Sequence, residues 1–244
     1  MGAVRRPKLP PPRRTSSANF SDGWRVYSPV VYRYMADPYV EAFFRDGSLR
    51  LTTFLQFKSH ADEQRQDVDE GSMRVVMTDP ESNRIHAIYE LSTGENAYVL
   101  CTTLWHNEQL MKDFQSDAYI RIHDPAEFGR RVAAHIPGFV EGGEGPCMYH
   151  RHRFIESNLS EADRGSVDKD APSIAAALDA MGHYPLFLKH RSYSHQAEYR
   201  LVWTTDAPLK AAHLDIKVPE ARDLCSRPGV FEFDDAVFNP PATR

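Results

Sequence analysis

The chain has 244 residues, of which 41% are hydrophobic and 26% are charged, and its formal net charge is −5. This composition is ordinary for a globular protein and allows one large domain or two small ones. It excludes a helical membrane span, because no apolar run approaches the roughly 20 residues that cross a bilayer. The charged start MGAVRRPKLPPPRR has no apolar signal-peptide core, and three isolated cysteines are typical of a reducing compartment. We therefore expect a cytoplasmic protein with no membrane partner.

Residues 1–22 are predicted to form a disordered basic tail. A Pro/Arg/Ser-rich stretch without apolar periodicity cannot bury enough surface to become ordered. The first 20 residues hold five basic residues and no acidic one, whereas the rest of the chain has 24 basic and 34 acidic residues. Contact between the tail and an anionic partner is therefore expected to be local.

The first folded segment is predicted to be a strand, a helix and a second strand. Residues 26–35 are rich in β-branched and aromatic side chains, which favours a strand. Asp37 is the predicted N-cap of the helix, and Gly47 is predicted to end it. Residues 49–54 alternate between apolar and polar side chains like a second strand.

The later segments mix strands and helices without regular alternation. Strands are predicted at 73–77, 84–91, 97–103, 117–122, 147–154 and 212–218, and helices at 107–114, 124–136 and 171–181. Residues 138–146 are predicted to be a flexible turn and 158–170 a polar loop. Because strands outnumber helices and do not alternate with them, the pattern favours an α+β fold over a doubly wound sheet.

Two features leave a divalent-metal site open. Residues 58–72 form an acidic loop that lacks the calcium-loop pattern, and we favour a solvated loop or a lid over a site. His150 and His152 are predicted to alternate on one strand face as an H-x-H pair, although no third ligand is spaced to join them. A metal-dependent nuclease is therefore an alternative function, and we assign no metal ligand. The acidic residues of the loop are Asp62, Glu63, Asp67, Asp69 and Glu70.

The most informative stretch is residues 187–203, FLKHRSYSHQAEYRLVW. Strand alternation places an amide, a carboxylate and a guanidinium on one face, namely Gln196, Glu198 and Arg200. Such a row is either a binding surface or a ladder of surface ion pairs. The chain has no P-loop, G-x-G-x-x-G, G-x-S-x-G or H-E-x-x-H motif, so NTPase, Rossmann, serine-hydrolase and zincin interpretations have no motif support.

A series of short motifs, taken in order, resembles the ADP-ribosyltransferase-like fold. The similarity is closest to a family of uncharacterised bacterial and phage proteins that end in a [Q/E]-x-E-Y-R motif. The motifs are VYRYM, DGSLRLTTF, the acidic turn D-x-x-E-G at 67–71, VLCTTLWHNEQLMKDF and the stretch 187–203, and they cover about residues 30–205. The resemblance implies mainly antiparallel strands in a split two-sheet core with peripheral helices. We expect one such domain over 23–220, followed by a Pro-containing extension over 221–244.

The resemblance also implies residue roles. Arg33 matches the first-strand arginine that holds an NAD phosphate in the arginine–serine–glutamate branch. Gln196-Ala197-Glu198 matches the Gln/Glu-x-Glu motif, with Glu198 as the catalytic carboxylate and Gln196 orienting the acceptor. Thr102 and Thr103 fall where that branch has a serine–threonine–serine strand end, although Cys101 replaces the first serine. The remaining residues expected to bind NAD are Tyr32, Tyr34, Tyr193 and Arg200.

The implied activity is the transfer of ADP-ribose from NAD to a macromolecular acceptor, either protein or nucleic acid, in toxin, effector or phage-defence biology. Cleaving the nicotinamide–ribose bond builds positive charge on the sugar, and a fixed carboxylate stabilises that charge. The planar fork of an arginine suits pyrophosphate oxygens. A non-catalytic module that holds a nucleotide without turning it over is a further alternative.

Overall fold

The computed structural model describes residues 13–15, 29–54, 56, 69–79, 81–158 and 172–227. Within these ranges four α-helices are present: α1 (Asp37–Asp46), α2 (Glu108–Asp113), α3 (Pro125–Ala133) and α4 (Pro172–Ala180). The strands are β1 (Arg13–Thr15), β2 (Val31–Met35), β3 (Ser48–Thr53), β4 (Ser72–Thr78), β5 (Ile85–Ser92), β6 (Ala97–Thr103), β7 (Ala118–Ile122), β8 (Phe139–Pro146), β9 (Met148–His150), β10 (Phe154–Asn158), β11 (Leu188–His190), β12 (Glu198–Thr205), β13 (His213–Lys217) and β14 (Cys225–Ser226). Short 3-10 helices lie at Tyr184–Phe187, Arg191–Gln196 and Pro219–Leu224.

One large curled sheet dominates the fold. In the described part of the chain it has nine antiparallel strands in the order β1-β8-β12-β6-β2-β7-β14, and β3 joins β6 while β13 joins β3. A three-stranded sheet, β10-β4-β5, and a two-stranded sheet, β11-β9, complete the architecture. The predicted α+β class with mainly antiparallel strands is therefore confirmed. In these ranges no helix is long and apolar enough to cross a membrane.

β12 lies near the centre of the large sheet, between β6 and β8. Seven of its eight residues are buried, which explains its dense run of large side chains. Leu201 and Trp203 pack into the main core, whereas Val202 packs with Phe54 on the opposite face. The alternation predicted from the sequence is therefore confirmed from Glu198 onward, whereas Gln196, predicted on the same strand face, lies in the 3-10 helix that precedes β12.

The opening strand–helix–strand segment is confirmed with two corrections. The first strand covers only Val31–Met35 within the described residues, and residues 26–28 lie outside them. The N-cap of α1 is Ala36, which has an extended backbone, because Asp37 is already the first residue of the helix. Gly47 ends the helix as predicted, with a φ of 77° that favours glycine.

The predicted flexible turn at 138–146 is wrong, because this segment is strand β8. The buried strand β12 needs hydrogen-bonding partners on both edges, and β8 supplies the second edge. The glycines of β8 lie opposite large side chains, Gly142 opposite Trp203 and Gly145 opposite Arg200, and a Cβ at Gly145 would meet Phe187 only at an ordinary 3.9 Å.

The predicted strand 147–154 is also shorter in the structure. β9 stops at His150, a bend follows at 151–153, and β10 begins at Phe154. His152 therefore lies in the bend, and the two histidines do not alternate along one strand. The other predicted strands and helices are present to within a few residues, whereas residues 58–68 of the acidic loop and 159–170 of the polar loop lie outside the described ranges.

Candidate functional site

A cleft of about 1150 Å³ opens beside the ends of β2, β6 and β12. Its described wall contains four basic side chains, Arg33, Arg50, Lys189 and Lys217, and two acidic ones, Glu198 and Asp215. The wall is thus more positive than the protein as a whole, which has a net charge of −5. Arg50 is paired with Asp215 and Lys217 with Asp46, so the positive charges that favour an anionic ligand are those of Arg33 and Lys189.

Glu198 is fixed at one end of this cleft as the first residue of β12. It pairs with Thr103 of β6, and its carbonyl oxygen accepts a hydrogen bond from the Cys147 N–H over 2.8 Å. Its own N–H donates to the Tyr149 hydroxyl, also over 2.8 Å. Its backbone is therefore anchored by β6 and by residues 147–149, and its carboxylate has a well-defined position.

The residue before Glu198 has an unusual backbone conformation. Ala197 has a φ of 41°, in the left-handed region that costs a non-glycine residue about 1–2 kcal/mol. The turn joins the 3-10 helix Arg191–Gln196 to β12 and brings Gln196 and Glu198 to the same amine, that of Lys189. Backbone strain of this kind is concentrated at functional sites.

Four charged side chains form a buried ion group, which we define as Glu70, Lys189, Glu198 and Arg200. One oxygen of Glu198 accepts a hydrogen bond from Arg200 Nε over 2.6 Å, and the other binds the amine of Lys189. Arg200 Nη1 also binds Glu70 and donates to the Leu186 carbonyl oxygen over 2.6 Å. The exposed fraction of each of these four side chains is 8% or less. Two negative and two positive charges balance within the group.

The ion group sets the protonation of Glu198. Burial alone would raise the pKa of Glu198, but the positive charges of Arg200 and Lys189 outweigh burial and hold the pKa well below its usual value. Burial likewise tends to lower the pKa of Lys189, but the carboxylate of Glu198 raises it overall. Both groups are therefore charged at neutral pH.

Lys189 links the two residues of the predicted catalytic motif. Its Nζ donates to Gln196 Oε1 over 2.6 Å and to Glu198 Oε2, and it lies 5.0 Å from the centroid of the Tyr193 ring. Gln196, Glu198 and Lys189 all line the cleft. The sequence-predicted residues Gln196 and Glu198 are therefore brought together, with the lysine between them.

Arg33 and its neighbours contribute another wall of the same cleft. Arg33 Nη1 donates to the Cys101 carbonyl oxygen over 2.7 Å, which ties β2 to β6. Tyr32 and Tyr34 also line the cleft, although only 6% and 7% of their surfaces are exposed. The Tyr34 hydroxyl accepts a hydrogen bond from the Asn107 N–H at the start of α2.

The two threonines at the end of β6 have different surroundings. Thr103 pairs directly with Glu198, so its side chain shares the face of the carboxylate. The Thr102 hydroxyl donates to the Tyr199 carbonyl oxygen over 2.7 Å and joins β6 to β12. Cys101 lines the cleft as well, and burial, followed by the nearby charge of Glu198, raises its pKa, so its thiol is protonated.

Two predicted NAD-binding residues lie outside the cleft wall. Arg200 is buried behind Glu198, and its guanidinium binds the groups of the ion group and the Leu186 carbonyl. Tyr193 stacks on the amine of Lys189. In the structure Arg200 therefore positions Glu198, and Tyr193 contacts the amine of Lys189.

Sequence reasoning missed the roles of Lys189, Glu70 and Tyr149. Glu70 belongs to the segment predicted to be a solvated loop or a lid over a site, yet it is 1% exposed and binds Arg200. Two features of the sequence pointed to buried charges. Lys189 directly follows the apolar residues 185–188, and Glu70 is the glutamate of the D-x-x-E-G motif. Neither signal identifies the partner without the fold.

The metal-site alternative gains no geometric support from the described residues. Among them, no group of three or more His, Cys, Asp or Glu side chains is placed to hold a metal ion. His150 and His152 are both exposed and lie on different elements. Asp62, Glu63 and Asp67 lie outside the described residues.

Comparison with known proteins gives no significant match. No protein-family model, no curated protein and no solved structure is significantly similar to this chain.

Proposed function

We propose that the cleft binds NAD and that the protein is an ADP-ribosyltransferase-like enzyme, with Glu198 as its catalytic carboxylate. The observation that carries the proposal is the shared cleft: Glu198 and Gln196 line one part of it, and Arg33 lines another. Its volume of about 1150 Å³ exceeds the roughly 300–1,000 Å³ of ordinary small-molecule pockets, so a dinucleotide fits. Its excess of basic side chains suits a pyrophosphate.

The sequence resemblance supports the same proposal. The motifs that carry it include VYRYM, which forms β2, and VLCTT and EYRLVW, which belong to the neighbouring strands β6 and β12. Motifs that are distant in sequence therefore meet around one cleft. A role as a toxin, an effector or a phage-defence component is part of the proposal and rests on the resemblance.

The chemistry proceeds by cleavage of the bond between ribose C1′ and the nicotinamide nitrogen. Both bonding electrons leave with nicotinamide, and positive charge develops on the sugar ring. The Glu198 carboxylate stabilises that charge, and a nucleophile on the acceptor then bonds to C1′ and loses its proton to water. Gln196 is positioned by Lys189 to orient the acceptor.

Lys189 adjusts the charge of the site in this scheme. Without ligand the ion group is neutral, since its two carboxylates balance two cations. When the lysine amine turns to a ligand phosphate, Glu70, Arg200 and Glu198 retain a net charge of −1 where the sugar becomes positive. A flexible ammonium suits such an exchange better than the guanidinium of Arg200, which is fixed by three partners.

A second candidate function is a regulatory module that binds a nucleotide without turning it over. The observation that favours it is the occupation of both Glu198 oxygens by Arg200 and Lys189. If neither cation is displaced, the carboxylate is neutralised and gives little stabilisation to a sugar cation.

The test is release of nicotinamide from labelled NAD, together with label transfer in a cell lysate. We expect the wild-type protein to release nicotinamide and Glu198→Gln to lose at least about 100-fold in rate, as removal of one transition-state electrostatic group does. Glu156→Gln is the matched control, because Glu156 is an exposed glutamate on β10 outside the cleft. Thermal unfolding of each variant checks that the fold is retained.

The outcomes separate the two candidates. Nicotinamide release that is unaffected by Glu198→Gln overturns the catalytic assignment. Stabilisation of the wild-type protein by NAD without any release favours the binding module. Absence of both binding and release refutes the assignment of NAD to this cleft.

A further inference from the structure

Two segments beside Glu198 are rich in basic residues and contain no acidic residue. They are residues 147–154, CMYHRHRF, and residues 187–195, FLKHRSYSH. This is unusual in a chain with more acidic than basic residues. Six of their arginine and histidine side chains are exposed, and we call them the basic rim: His150, Arg151, His152, His190, Arg191 and His195.

The fold brings the two segments together. β9 and β11 pair in parallel, with His150 opposite His190. The bend that follows β9 is held beside β11, because Arg153 Nη1 donates to the Leu188 carbonyl oxygen over 3.3 Å. The 3-10 helix Arg191–Gln196 follows β11 directly and continues the same surface.

The β9–β11 ladder and the 3-10 helix that follows it connect this surface to the candidate site. Tyr149 and Lys189 are paired across β9 and β11, and both contact Glu198. The next pair along the ladder, His150 and His190, is exposed. Because successive strand residues point to opposite faces, the side chains of His150 and His190 lie on the face of this ladder away from Glu198. The 3-10 helix Arg191–Gln196, which carries Arg191 and His195, ends at Gln196 in the cleft wall, so the basic rim adjoins the cleft through this helix.

An exposed tryptophan stands on the β6 side of the same end. The chain leaves β6 beside β12, where the Leu104 N–H donates to the Ala197 carbonyl oxygen over 3.0 Å. The next residue, Trp105, is 48% exposed, although large aromatic side chains are usually buried. His106 beside it is also exposed.

We propose that the basic rim and Trp105 form a binding surface for single-stranded nucleic acid. This inference rests on the proposed function and deepens it, because it assigns the acceptor at Glu198 to the nucleic acids. Arginines that contact phosphates and an aromatic ring on which a base stacks are the usual elements of a single-strand binding surface. An acidic protein partner would also be attracted by the positive charges of the basic rim, but it has no base to stack on Trp105.

The test is binding of a fluorescently labelled single strand of about 12 nucleotides, as DNA and as RNA, to the full chain without NAD. Arg151→Gln combined with Arg191→Gln is expected to reduce the slope of log affinity against log salt by about 1.4, from about 0.7 for each phosphate contact. Between about 50 and 200 mM salt that difference amounts to about sevenfold in affinity. Trp105→Ala is expected to weaken binding at least about fivefold, and Trp105→Phe to restore most of it.

Two controls isolate the surface. Arg84→Gln combined with Lys210→Gln removes two exposed charges that lie beyond the far ends of the β4–β5 hairpin and of β12, and should leave binding unchanged. Replacing Arg5, Arg6 and Lys8 with Gln measures the contribution of the basic tail. Polyglutamate of matched length tests whether any polyanion suffices.

Each outcome decides the inference. Binding that is lost with the tail but retained in the rim and Trp105 variants refutes it, as does polyglutamate binding equal to that of the oligonucleotides. Oligonucleotide binding that depends on the rim and Trp105 supports the surface even where no nicotinamide is released. Nicotinamide release without any oligonucleotide binding leaves the proposed function intact and refutes the nucleic-acid surface.

Discussion

Replacement of Arg200 tests whether the buried ion group holds the site together. Arg200→Met keeps a long unbranched side chain but removes the guanidinium that binds Glu198, Glu70 and the Leu186 carbonyl. The three charges that remain in the group then sum to −1 in a region where the side chains are 8% exposed or less. Breaking a buried ion pair in this way costs about 3–5 kcal/mol. That is a large fraction of the roughly 5–15 kcal/mol by which domains are stable.

The cost is expected to depend on pH. In the wild-type protein the pKa of Glu198 is lowered, so its ion pairs stabilise the fold above the unfolded value of 4.5 and are lost as pH falls through the folded pKa. In Arg200→Met the folded pKa rises, because one of the two cations that lowered it is gone. The variant carboxylates then take up protons more readily, so the difference in stability from wild type shrinks as pH falls toward 4.5.

Urea unfolding followed by circular dichroism, at neutral pH and near pH 4.5, measures both effects. Arg84→Met is the control, since Arg84 is exposed and its replacement should change the free energy of unfolding by less than about 0.5 kcal/mol. A loss below about 1 kcal/mol at neutral pH, or a difference that grows as pH falls, would refute the reasoning from the buried charges.

Two further predictions concern the stability of the fold and the binding of NAD. Gly47→Ala should destabilise the fold by more than about 2 kcal/mol, because Gly47 has a φ of 77° and an added Cβ would lie 2.4 Å from the Val218 carbonyl carbon. Gly145→Ala, whose Cβ would meet Phe187 at an ordinary 3.9 Å, is the control in the same urea measurement. Arg33→Gln should weaken NAD binding, measured by calorimetry, about 10- to 100-fold, which is the range for loss of a charge-assisted hydrogen bond. Arg84→Gln is the control and should leave the affinity for NAD unchanged. Equal affinities of Arg33→Gln and the wild-type protein would show that Arg33 does not bind the ligand.

Local features of the site were predictable from the sequence. The alternation in β12 follows from the two-residue period of a strand, and it placed Glu198 and Arg200 on one face correctly. The end of α1 at Gly47 was predictable because only a residue tolerant of positive φ suits a left-handed cap. These features depend on neighbours within a few residues.

Features that depend on distant partners were not predictable. Glu70 looked like one acid among several in a polar loop, and only the fold shows that Arg200, 130 positions later, buries and neutralises it. The sequence of β8 is rich in glycine and was interpreted as a turn. Its strand conformation comes from pairing with β12, which the local sequence does not show. The wrong prediction that His150 and His152 alternate on one strand has the same cause. The bend at 151–153 is held by a contact from Arg153 to β11, which is distant in sequence.

The catalytic and the binding-only functions differ in the behaviour of one side chain. Arg200 has three partners and is buried, so it stays with Glu198 under either function. Lys189 lines the cleft, so of the two cations that bind Glu198 it is the one whose amine an anionic ligand can attract. If the amine remains on Glu198, the carboxylate is neutralised and the cleft only holds its ligand. If the amine moves to a phosphate, Glu198 faces the sugar with uncompensated charge, and binding itself prepares the site for bond cleavage.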